Sequence, residues 1–132
     1  MMPVYRSGIA FLLRVSENER LPYVVISEPQ GIEKEVYMVR FEPLPPEGEE
    51  QQACIFEPGT IPGTDVASVV GRVRAPISCK ALVRLQGKEF ERLEQPVAEG
   101  VMAKIYQCLK NSDKVSSKVL NVLIEQDKIE AE

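Results

Sequence analysis

Pro22-Tyr23-Val24-Val25-Ile26-Ser27 and Thr64-Asp65-Val66-Ala67-Ser68-Val69-Val70-Gly71-Arg72-Val73-Arg74-Ala75-Pro76 are the two stretches whose reading decides the fold. The first is a short apolar run with β-branched and aromatic members, and it ends in Glu28-Pro29-Gln30-Gly31. That is the pattern of a buried strand closed by a turn. The second begins at a polar corner and continues as a long β run. Gly71 inside it predicts a bulge or a tight bend.

Working outward, Gly8 to Val15 reads as a first strand, and Ser16 to Arg20 as a polar turn. Leu21 to Ser27 is the second strand, with Pro22 at its start, where a missing donor is tolerated. Glu35 to Phe41 is the third. The segment Pro43 to Glu50 carries three prolines and three glutamates, which exclude regular structure and predict an exposed loop. Ala53 to Phe56 is a short fourth strand, about Ala67 to Ala75 the fifth, and Ser78 to Leu85 the sixth.

The pattern then becomes helical. Pro96 suits a first helical position, and Val97, Val101, Ile105 and Leu109 share one side of a helix ending near Lys110. Asp113 is a candidate N-cap for a second helix with the stripe Val115, Val119, Val122 and Leu123. Strands grouped before helices predict an α+β protein built on a small antiparallel β-barrel. The expected organisation is a barrel over 1–95, with a helical appendage over 96–132 packed on the same domain.

Composition narrows the chemistry. The chain has 132 residues, enough for one core, and a net charge of -4. No apolar run approaches the roughly 18 residues of a membrane helix, and the N-terminal residues lack the order of a secretory signal, so a cytoplasmic protein without membrane contact is expected. Histidine is absent. That removes Ser–His and Cys–His nucleophile pairs and His-containing zinc sites. The acidic side chains Glu42, Glu47, Glu49 and Glu50 have no spacing that demands a metal, and neither metal nor cofactor is expected. Cys54, Cys79 and Cys108 are an odd count at wide spacing. They read as small apolar core residues, with a reactive thiol as the other reading.

Charge is unevenly spread. The segment from Glu28 to Glu57 holds eight acids and two bases, whereas Ser68 to Arg92 holds six bases against Glu89 and Glu91. Arg72 and Arg74 share a strand face, as do Lys80 and Arg84. Paired strands would join these four into a patch for RNA phosphates; the other reading is a solvated strand face. The acidic loop either solubilises the protein, covers this patch or docks a basic partner.

Pro22 to Ser27, the Val36–Phe41 strand, the Cys54–Gly59 strand and corner, and Asp65 to Val70 leading to Arg84-Leu85 together resemble the PemK/MazF superfamily of toxin-type endoribonucleases. The resemblance spans about residues 8–110. It implies an SH3-like barrel with terminal helices, a homodimer, an antitoxin-like protein partner and metal-independent RNA cleavage. The sequence departs from the family at three places, one of them the first loop, between strands one and two, which is shorter than in typical members and lacks their Gly-rich, RNA-contacting character. Leu21 stands where active members carry Arg before the strand proline, with Arg20 one residue earlier, and Phe41 or Glu42 stands where they carry a hydroxyl.

Metal-independent RNA cleavage needs a proton acceptor for the 2′-hydroxyl and a cation for the phosphorane. The candidates are Arg20 and Arg14 as cations and Ser27 or Glu28 as acceptor. Ser68 begins the fifth strand at a corner, where its hydroxyl is expected to bond turn backbone. Three functional readings follow. One is a non-catalytic or weakly active interaction module, one an endoribonuclease using Arg20 in a shifted geometry, and one an adaptor binding through the stripe of the last helix.

Overall fold

The computed structural model describes residues 5–45, 54–112 and 115–130. Over these residues the protein is α+β, with a six-stranded antiparallel sheet, a two-stranded ribbon and three helices. The strands are β1 (Ala10–Ser16), β2 (Glu19–Val25), β3 (Glu35–Val36), β4 (Met38–Pro43), β5 (Ile55–Phe56), β6 (Ser68–Val73), β7 (Ile77–Ser78) and β8 (Phe90–Arg92). The helices are α1 (Cys79–Leu85), α2 (Glu99–Lys110) and α3 (Ser117–Glu125). The large sheet runs β5-β6-β4-β2-β1-β8, and β3 pairs with β7. The expected closed barrel is corrected here: β5 and β8 are open edges, and the sheet does not close on itself.

The apolar run of β2 is continuous because both faces of the sheet are covered. Neighbouring side chains on a strand point to opposite faces. Val24 and Ile26 join Ala10, Val39, Phe41 and Phe56 in a core shared with Ile105 and Leu109 of α2 and Val119 and Leu123 of α3. Tyr23 and Val25 join Phe11, Met38 and Phe90 in a second core under Cys79 and Leu82 of α1 and Val36 of the ribbon. Each such fully buried aliphatic or aromatic side chain contributes on the order of 1.5–3 kcal/mol. The segment after residue 95 therefore shares a core with the sheet. The segment before it is not all β, since it contains α1.

Several local expectations change. Ser78 to Leu85 is not a sixth strand: β7 stops at Ser78, whose hydroxyl accepts from the Ala81 N–H and caps α1. Cys79, Ala81, Val83 and Leu85 alternate as in a strand, whereas the buried pair Cys79 and Leu82 has helix spacing, and over so short a run the two patterns compete. The Glu35–Phe41 strand divides into β3 and β4. β8 was missed by the sequence reading. α2 starts at Glu99 after an Ala98 cap rather than at Pro96. Asp113 lies outside the described residues, and Ser116 caps α3, its hydroxyl accepting from Val119 N–H. Most of the Pro43–Glu50 loop, from residue 46 on, also lies outside them.

Gly71 does mark a bulge: Val39 pairs with Val73 and Phe41 with Val70, so β6 carries one extra residue. A Cβ on Gly71 would lie 3.1 Å from the Arg40 carbonyl oxygen and closer still to the Glu42 side chain. The cysteine expectation is corrected as well. Cys54 and Cys108 are joined in a disulfide, with Cα atoms 5.6 Å apart, and only Cys79 is a free buried thiol among the described residues. The two cysteines are 54 positions apart, too far for spacing to reveal the bond. Closing a loop of that length stabilises the fold by about 4 kcal/mol on the chain-entropy estimate.

Candidate functional site: the open end of the β1–β2 hairpin

β2 pairs with β1 from Glu19 on but with β4 only from Tyr23 on. Pro22, which has no N–H, stands where the β4 ladder stops. Beyond it the sheet is open on the β4 side, and Arg20 has space beside it. Arg14 and Arg20 are direct cross-strand partners. Side chains so placed are about 5 Å apart at Cβ, and two like charges there repel. Glu91 of β8 offsets part of that repulsion, its Oε2 accepting from Arg20 Nη1 at 2.9 Å, while the Arg14 backbone N–H donates to the Glu89 carbonyl at 3.1 Å and ties β1 to the turn before β8.

Arg14, Arg20, Lys88, Glu89 and Glu91, with Leu12 and Phe90, line one cleft of about 320 Å³. Arg20 also lines a second, of about 150 Å³, with Pro22, Pro43, Thr64, Asp65 and Ser68. Gly63, at φ +86°, lets the preceding turn lie against Leu12, since a Cβ there would come within 2.7 Å of a Leu12 methyl. The Arg20–Glu91 pair is more than half exposed, so it holds geometry more than it stabilises the fold. Three cations and two carboxylates thus line a solvated cleft.

Ser27 is elsewhere. It is 1% exposed at the opposite end of β2, and its Oγ accepts from the Tyr37 N–H at 2.8 Å. The structure therefore brings Arg14 and Arg20 together and leaves Ser27 apart. Glu28 is beside Ser27, in a different cluster. Its Oε2 accepts from Ser7 Oγ at 2.6 Å and from Lys128 Nζ at 2.8 Å. Its backbone N–H donates to Gln126 Oε1, and its carbonyl accepts from Gln126 Nε2. Burial pushes the Glu28 carboxyl up, but the bonds from Lys128 and Ser7 outweigh it and hold the pKa below the ordinary value. Tyr106 donates to the Ile26 carbonyl at 2.8 Å, and burial pushes its phenol up to about 12.

The four residues expected to hold RNA are dispersed along the other side. Arg74 stacks its guanidinium 5.2 Å from the centroid of Phe90, a ring of the second core. Lys80 and Arg84 are exposed on α1, which covers that same core. They do share a face, because four residues apart is one turn of helix. Arg72 is exposed on β6. Ser68 donates to the Val66 carbonyl at 3.1 Å, the turn contact expected of it.

Lys88, Glu89 and Glu91 are the residues that sequence reasoning missed. They were counted in the charge balance, but without β8 nothing in the sequence placed them beside Arg14. Among the described residues, no three His, Cys, Asp or Glu side chains are grouped to hold a metal ion, and no helix is long and apolar enough to cross a membrane. No family model, curated protein or solved structure matches the chain at a significant level.

Proposed function

We propose that this chain is a divergent PemK/MazF-like protein of the cytoplasm, with an opened SH3-like sheet, acting as a non-catalytic or weakly active interaction module. It binds RNA phosphates at the Arg14–Arg20 end of the hairpin, as a homodimer in a toxin–antitoxin-like setting with an antitoxin-like protein partner. The observation that carries this reading is the cross-strand Arg14–Arg20 pair in a solvated cleft, with Ser27 buried at the far end of the strand. Cations that hold a phosphodiester are assembled, and the expected hydroxyl is not among them. Arg72, Arg74, Lys80 and Arg84 serve as a secondary surface for the same polyanion.

The test is fluorescence anisotropy with a mixed-sequence RNA oligonucleotide across a salt series. Arg14→Ala and Arg20→Ala are each expected to weaken binding about tenfold at low salt and to reduce the salt slope by about one. Binding unchanged in both variants would remove the reading.

A second reading is favoured by Glu89 and Glu91, which line the same cleft. A carboxylate there can take the 2′-hydroxyl proton while the arginines stabilise the phosphorane, as metal-independent endoribonuclease chemistry requires. Incubation with a long RNA without metal separates the two. Discrete cuts that vanish in Arg20→Ala establish the endoribonuclease, and intact RNA bound by folded protein leaves the module.

A further inference from the structure

The Cys54–Cys108 disulfide holds the most lightly attached strand of the large sheet. β5 has two residues, Ile55 opposite Val69 and Phe56 opposite Ser68 on β6. A two-residue ladder at an open edge gives little independent stability. Three further attachments run from β5 and Cys54 to α2. They are the disulfide itself, a hydrogen bond from Lys104 Nζ to the Ile55 carbonyl, and the same ammonium 4.6 Å from the centroid of the Phe56 ring. Phe56 also packs edge-on against Phe41 at 5.3 Å.

α2 does not depend on the sulfur in the same way. Met102, Ile105 and Leu109 bury its apolar side in the first core. Breaking the bond therefore acts on β5 and spares the helix. Cys54 is half-buried, so an attacking thiolate reaches it more readily than Cys108, which is buried.

We propose that Cys54–Cys108 is a reversible redox latch that locks β5 onto the sheet, opened by a dithiol reductant. The thiolate of the dithiol attacks Cys54 Sγ, and Cys108 leaves as a thiolate that takes a proton from water. The second thiol of the reductant then displaces Cys54, whose thiolate is protonated in turn. Two electrons pass to the cysteine pair, and the reductant becomes a disulfide. A pair of this kind in a cytoplasmic protein is of the transient or sensing type, so the proposal rests on the compartment given under Proposed function. Opening frees the β6 edge at Val69 and loosens Ser68, which lines the smaller cleft beside Arg20.

The test is amide hydrogen exchange on the full chain, oxidised and after dithiothreitol, with thiols counted by alkylation and mass spectrometry. The expected result is exchange at least about tenfold faster at Phe56 and Ser68, which face each other across the β5–β6 ladder, on reduction, with β1, β2 and β4 still protected. Cys54→Ser and Cys54→Ala are expected to match the reduced protein and to ignore the reductant. A glutathione buffer at the cytosolic poise is expected to expose two additional thiols. Unchanged exchange at β5 would overturn the proposal. So would loss of protection across the whole sheet, which would make the bond a global staple, or a pair that the glutathione buffer leaves oxidised. Absence of RNA binding would remove the phosphate reading and leave these outcomes as they stand.

Discussion

The two ends of β2 differ in what surrounds their polar residues. At the C-terminal end, Ser27 and Glu28 are tied to Tyr37, Ser7, Gln126 and Lys128. These bonds clasp the N-terminal segment and the end of α3 onto the sheet. At the N-terminal end, Arg20 faces Arg14 in solvent, and its side chain pairs with the exposed Glu91. Polar groups that are satisfied and partly buried hold a fold together. Charges left accessible beside a like charge are free to meet a ligand. The comparison predicts that mutations at one end cost stability and at the other end affinity.

The largest effect is expected at the clasp. Glu28→Ala removes the acceptor of both Ser7 and Lys128 and is expected to lower unfolding stability by about 2 kcal/mol in a urea titration, with RNA affinity unchanged. Because the Glu28 pKa is depressed in the folded state, its contribution is present above the ordinary carboxylate pKa and is lost as pH falls through the folded value. Glu28→Gln should flatten that part of the acid limb. An unaltered acid limb would mean that the clasp carries no linkage.

Ser27→Ala comes next. It leaves the Tyr37 N–H without its acceptor in a buried site, and a loss of about 1.5 kcal/mol is expected by the same titration. The smallest effect on stability is expected for Arg20→Ala, within about 0.5 kcal/mol of the parent protein. If Arg20→Ala destabilised the protein as much as Glu28→Ala does, the two ends would be alike, and the arginine pair would be structural.

Much of the sheet was legible in the sequence. The runs around Val24, Val39 and Val70 are strands, Gly71 is at a bulge, and Val115, Val119 and Leu123 are buried. These readings rest on periodicity and on glycine sterics, which are local. Segments too short for a period to develop were misread. β8 has three residues, and α1 has seven with apolar positions that suit either strand or helix. The candidate site was half legible. Arg14 and Arg20 flank a turn, so their approach is a local matter, whereas Glu89 and Glu91 reach them from about seventy residues away.

The sequence by itself determined the α+β class, since strand patterns precede helical ones, and excluded histidine chemistry, since no histidine is present. Only the tertiary structure decided that the sheet stays open, that Cys54 meets Cys108, and that Glu89 and Glu91 come beside Arg14 and Arg20. Each of these depends on the pairing of distant segments. Such pairing is set by which two faces of β2 are covered and by what, and no local pattern of residues encodes it.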